Sequence, residues 1–374
     1  MAEIDAIDIV IDSEGPSVLD EDVFVLRSDS RLHATALGLI TGPRLSEWPT
    51  SYRAMESYPD NVGLDWMGGA GKRGLQGVTH DESNWFLTTK GYIWKVPVET
   101  DLEKNFSIPD DPVAWATGRS DALENNGILR VGDKLVRGIP VELAGDYDHC
   151  GDPDCHDGIL YVPLEAKEGA GLRPRIAAFR AQDLLLIAVS DPLPEGASGG
   201  FCSINPLNGN LYVFGSDHPA SLAVFELSIP RIGRTLERSL VQTIPLGYDQ
   251  GSYHQGGAFS PGGHFYFSCG LIPSDYTPEI LGGKGGIVSD RPALSRWNGI
   301  LAFDLATAQI KMTVAIPKVW DYEVEGITVW DLEDGRAPGI RGQVHLLIRN
   351  HDWPSTDNLI FAHFRVPSNE VSLV

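Results

Sequence analysis

The feature that most constrains this chain is an internal repeat of short apolar strands, each opened by a turn. It recurs as Asn84-Trp85-Phe86-Leu87, Gly158-Ile159-Leu160-Tyr161-Val162, Gly209-Asn210-Leu211-Tyr212-Val213, Gly263-His264-Phe265-Tyr266-Phe267 and Gly342-Gln343-Val344-His345-Leu346. After each copy comes a second strand with alternating apolar positions: Tyr92 to Val98, Arg175 to Arg180, Leu222 to Leu227, Ile300 to Leu305 and Leu359 to Val366. Upstream of each copy lies a glycine-rich strand start: Gln76-Gly77-Val78, His149-Cys150-Gly151, Gly199-Gly200-Phe201, Gln255-Gly256-Gly257 and Glu325-Gly326-Ile327. Such a chain folds as many short strands rather than as a helical bundle. The 41 glycines and 25 prolines, against only 4 methionines, agree with that.

Outer strands are expected at Leu184 to Val189, Leu240 to Ile244 and Lys311 to Ile316, with a fourth at Lys134 to Val141. The last copy has none, and Asp22 to Arg27 can supply it, closing a ring of sheets without a covalent join. Glycine suits the innermost strands because strands that converge on a central channel leave little room for side chains. This pattern resembles the β-propeller architecture over roughly residues 20 to 370 and matches no particular family. The expected fold is therefore all-β: a single propeller of five four-stranded blades, with six as the alternative, closed by an N-terminal strand that completes the last blade. An acidic segment at 1–20 precedes a propeller domain at 21–374, with insertions at about 29–70, 100–132 and 271–297. Trp320-Asp321 and Trp330-Asp331 lack the Gly-His partner of a WD repeat and are discounted.

With 51 acidic and 29 basic residues, the formal charge is -22. Phosphate backbones and anionic lipid surfaces both require clustered Lys and Arg, so neither nucleic acid nor a membrane is an expected partner. No apolar run is long enough to serve as a signal peptide or a membrane span, and the expected location is cytoplasmic. The 4 cysteines are read as thiols, although Cys150 and Cys155 lie close enough in sequence to pair under oxidation.

In a propeller, the starts of the inner strands surround one mouth of the channel, and function concentrates there. The segment from Asp146 to Asp157 is the richest in His and Asp. Imidazoles and carboxylates of this kind can hold a divalent cation, so Asp148, His149, His156, Glu325 and His80 are the candidate metal ligands. Oxygen donors favour calcium, while imidazoles leave zinc, iron or manganese as alternatives. Asp154 and Asp157 are read as shaping the turn before Gly158. His149 and His254 are the candidate catalytic bases, because imidazole exchanges protons near neutral pH. Gln76, Tyr253, Gln255 and Trp297 are the candidate substrate contacts. One blade is far richer in such groups than the others, which points to a single site. The expected function is metal-assisted hydrolysis of an ester or lactone, or an elimination, on a small molecule. The alternative is a non-enzymatic propeller that binds carbohydrate or protein, with a small molecule or sugar as ligand in either case.

Overall fold

The computed structural model describes residues 24–25, 75–89, 91–100, 134–167, 169–217, 220–245, 253–270, 299–305, 309–315, 322–350 and 358–364. The expected insertions fall mostly outside these residues. Described strands begin with the two-residue β1 (Phe24–Val25) and otherwise group into five sheets of mainly antiparallel neighbours. The first sheet is β2 (Leu75–His80), β3 (Asn84–Thr89), β4 (Tyr92–Pro97) and β5 (Lys134–Arg137). The second has β6 (Tyr147–Cys150) and β7 (Asp154–His156) on its inner side, then β8 (Ile159–Ala166), β9 (Arg175–Arg180) and β10 (Leu185–Ser190). The third is β11 (Cys202–Ile204), β12 (Leu211–Asp217), β13 (Ala220–Leu227) and β15 (Arg238–Pro245), with β14 (Arg234–Leu236) leaving it to pair with β10. The fourth is β16 (Tyr253–Phe259), β17 (Phe265–Gly270), β18 (Gly299–Asp304) and β19 (Gln309–Ala315). The fifth is β20 (Tyr322–Val329), β21 (Val344–Asn350) and β22 (Asn358–Phe364). No α-helix occurs among the described residues, and a single 3-10 turn spans Val141–Leu143. This is the all-β, propeller-type arrangement that the repeat implies.

The sheets stack through their side chains because strand residues alternate between faces. On β12, Leu211 and Val213 join the core shared with the second sheet, whereas Tyr212 and Phe214 join the core shared with the fourth. On β8, Leu160 and Val162 face the first sheet and Tyr161 faces the third. With both faces buried, these strands read as continuous apolar runs rather than as an alternation with polar residues. Each such side chain contributes about 1.5–3 kcal/mol on burial. Between the fifth sheet and the first, Trp85 meets the rings of Trp330, His345 and Phe361 at centroid distances of 4.7, 5.3 and 5.2 Å, each edge-to-face.

One expectation is corrected. The N-terminal strand does not complete the last sheet: Phe24 and Val25 pair in parallel with Met312 and Thr313 of β19, at the outer edge of the fourth sheet. An outer strand presents unpaired N–H and C=O groups, and an added strand satisfies them whichever sheet it reaches. β14 does the same at the edge of the second sheet. Among the described residues the fifth sheet keeps three strands.

Candidate functional site

The inner strands β2, β6, β11, β16 and β20 converge on one side chain, the Asp152 carboxylate, which is fully buried. Its Oδ1 accepts the Val78 N–H of the first sheet at 2.7 Å. Its Oδ2 accepts the N–H groups of Gly257 in the fourth sheet and Ile327 in the fifth, both at 3.2 Å. The main chain of Asp152 joins the third sheet, donating to Gly200 O at 2.8 Å and accepting from Cys202 N at 3.0 Å. One residue of the second sheet therefore touches all four others. Burial pushes its carboxyl well above the usual range, while the three amide donors pull the other way.

The glycines at this level are required by space. A Cβ at Gly77 would stand 2.3 Å from the Asp152 Cα, one at Gly256 2.6 Å from its Oδ2, and one at Gly326 2.5 Å from its Oδ1. At Gly151 it would meet the Gly199 carbonyl oxygen at 2.3 Å. Crowding of strand against strand, together with the carboxylate that plugs the axis, thus explains the glycine-rich starts seen in the sequence.

One residue before Gly77, Gly256 and Gly326, and three before Gly151, the inner strands bulge. The ladder slips between Leu75 and Gly77, Tyr147 and His149, His254 and Gly256, and Val324 and Ile327. The extra residues are Gln76, Asp148, Gln255 and the pair Glu325-Gly326. A bulge re-aims the side chain it carries. Gln76, Gln255 and Glu325, each beside a glycine that packs on Asp152, make a polar ring above that plug, and Asp148 lies further along β6, four residues before Asp152. Within it, His149 Nε2–H donates to Gln76 Oε1 at 2.6 Å, which places the basic lone pair of the neutral ring on Nδ1. Gln76 and Glu325 are buried, and Gln255 is half-buried. Opposite His149 in the ladder stands Glu165, which the sequence reading did not single out. Its carboxyl is pushed up first by burial and then by the charge of Asp148, against the pull of the Gly199 amide.

The other end of the axis holds a second polar group. Asp154 Oδ1 accepts from Thr79 Oγ1 at 3.2 Å and from its neighbour's amide, Cys155 N, at 2.8 Å. Its Oδ2 accepts from Ser203 Oγ at 3.1 Å and Ile204 N at 2.6 Å. Asp154 therefore ties the first sheet to the third and is no mere turn residue; burial raises its carboxyl to about 6 despite these donors. The turn belongs to Asp157 and Gly158, whose φ values of 50° and 74° form the left-handed pair of a tight hairpin between β7 and β8.

The proposed metal ligands divide between the two ends. Asp148, His149 and Glu325 lie at the end that holds the bulge ring. His80 lies four residues beyond Gln76, about 13 Å along the strand. Its ring stacks on Trp330 at 4.2 Å and 2°, with Nε2 3.0 Å from Val329 O. His156 is at the same end as His80, its Nε2 3.5 Å from Asp157 Oδ2. The five therefore cannot share one ion, and among the described residues no group of three His, Cys, Asp or Glu is placed to hold one. Tyr253 and His254 open β16 at the ring, though their side chains lie outside the described residues, as does Trp297. Cys150, Cys155 and Cys202 are free thiols raised by burial, the state in which sulfur is least nucleophilic.

Among the described residues no helix is long and apolar enough to cross a membrane. No family model and no curated protein matches the chain. Solved structures similar to it are β-propellers at low identity. A gluconolactonase from Xanthomonas campestris is 11% identical over 77% of this chain and 72% of its own, with a TM-score of 0.37. A calcium-binding protein, regucalcin, from Agrobacterium tumefaciens is 10% identical over 78% and 79%, with a TM-score of 0.37. An endo-arabinanase from Bacillus licheniformis is 10% identical over 79% and 94%, with a TM-score of 0.38. Likeness at this level carries no chemistry, so any functional reading rests on this chain's own residues.

Proposed function

We propose that the five sheets are the blades of one closed propeller and that the bulge ring is the active site of a hydrolase acting on an ester- or lactone-type bond in a small molecule. The observation that carries this reading is the His149–Gln76 hydrogen bond at the mouth of the ring. It fixes the tautomer of the neutral imidazole, with the basic lone pair on Nδ1, the form in which a histidine serves as a general base. Glu165, opposite it in the ladder, is the carboxyl that exchanges a proton with the leaving oxygen. Gln255 and Tyr253 contact substrate from the fourth sheet, with His254 the second candidate base. A divalent ion, calcium first, has Asp148 and Glu325 as candidate donors at this mouth, and His149 only where its Nδ1 is not the base. Because the described residues do not bring three such groups close enough to share an ion, no step is assigned to it.

The test is a hydrolysis screen of purified protein against aldonolactones and aryl esters, with His149→Ala and Gln76→Leu alongside. Loss of the base lowers kcat/KM by about 10²–10⁴-fold. Gln76→Leu releases the ring and shifts the pH profile. Elemental analysis before and after chelation, in wild type and His149→Ala, reports on the ion separately. A chain that turns over none of these substrates yet retains a bound ligand belongs instead to the binding-module class.

A further inference from the structure

We infer a second small-molecule site, for a neutral sugar, in the cleft between the third and fourth sheets. The cleft encloses about 520 Å³ and lies away from the bulge ring, between the outer part of β15 and the turn that opens β17. That volume is in the range of small-ligand pockets. Tyr212, Phe303 and Leu305 form its apolar wall, and Asn205, Gln242 and His264 bring polar groups to its edge.

Three observations select the ligand class. Among the described residues the lining includes no Asp, Glu, Lys or Arg, in a chain whose formal charge is -22, so the cleft suits an uncharged molecule. The half-buried His264 ring lines the cleft with its Nδ1 closed off inside the protein, which leaves Nε2 as the nitrogen to meet a ligand. Asn205 spends its Oδ1 on the Leu207 N–H at 2.9 Å, which turns the side chain's amide donors to other use. Two carboxamides, a phenol and an imidazole mix donors with acceptors beside an aromatic wall. Such a set fits alternating hydroxyls on a ring whose C–H face packs against aromatic carbon. An anion would find no cation here, and a purely apolar ligand would leave the polar groups unpaired.

Saturation-transfer NMR and calorimetry with methyl glucoside, maltose, cellobiose and myo-inositol, with glucuronate as the charged control, test the site. The expected result is binding of at least one neutral probe, weakened about five- to tenfold by Gln242→Ala. Gln242 is exposed, so that variant does not disturb the core. Tyr212→Phe and His264→Gln should weaken it similarly, and His149→Ala should leave it unchanged. The inference is overturned if no neutral probe binds, if glucuronate is preferred, or if binding survives all three cleft variants. It is also overturned if binding is lost in His149→Ala alone, which would place the sugar in the bulge ring.

Discussion

Asp152 shows how one side chain can be worth more than its own contacts. Removing it strands three backbone N–H groups in a site closed to water, at about 1–3 kcal/mol each. Asp152→Ala should therefore cost about 3 kcal/mol or more in urea unfolding. Asp152→Asn should fall between, since the amide keeps one acceptor but turns an NH₂ toward donors. The surrounding glycines permit a sharper comparison. Gly326→Ala must displace the Asp152 carboxylate or the Gly77 backbone, an overpacking cost of about 1–3 kcal/mol or more. Gly158→Ala meets nothing within 4 Å and bears only the strain of φ +74°, about 1 kcal/mol. Equal melting temperatures for the two variants would mean that the axis is not packed as described. The polar-Gly pairs Gln76-Gly77, Gln255-Gly256 and Glu325-Gly326 were visible in the sequence. That Asp152 should be their shared acceptor was not, because in a segment crowded with Asp nothing local separates the residue on the axis from those in the turn.

At the scale of the strand, the repeat predicted the elements closely. The expected Arg175 to Arg180 is β9 itself, and the other strands agree within a few residues. β7 and β14 escaped notice because each is three residues long. Also unforeseen was the histidine pair across β21 and β22, where His345 and His363 face each other in the ladder with Nδ1 atoms 2.9 Å apart. His345 Nε2–H donates to Trp330 O at 2.8 Å, so its Nδ1 accepts and His363 donates. Burial holds both rings neutral, lowering His345 to about 3 and His363 well below its usual value. The unfolded chain binds these protons from about pH 6.5 downward and the folded chain does not, so stability falls as pH drops from about 6.5 toward 3. Asp154 acts in the opposite sense: its raised pKa favours folding at low pH and that contribution is lost as pH rises through about 6. His363→Leu should flatten the loss of melting temperature between pH 6.5 and 4. An unchanged slope would show that the pair is not what titrates.

Across the whole molecule, apolar cores join the first sheet to the second, the second to the third and the third to the fourth, aromatic rings join the fifth to the first, and Asp152 ties all five at the axis. Opening any one sheet therefore exposes an apolar seam and breaks into the axis. Denaturant unfolding followed by tryptophan fluorescence and by far-UV circular dichroism should therefore coincide, because the nine tryptophans, the buried Trp85, Trp94 and Trp330 among them, report side-chain packing while dichroism reports all strands. Separate midpoints would show that the sheets form more than one cooperative unit.

Strand periodicity, turn residues and glycine spacing are local properties, and from them alone the all-β class and the strand positions followed directly. Three matters were decided only in three dimensions: which carboxylate occupies the axis, which candidate ligands share an end of the channel, and which sheet receives the N-terminal strand. Each depends on distances between segments far apart in the chain. Those distances are set by the packing of sheet on sheet and by the bulges that turn single residues inward, and the residue pattern of any one strand carries no record of them.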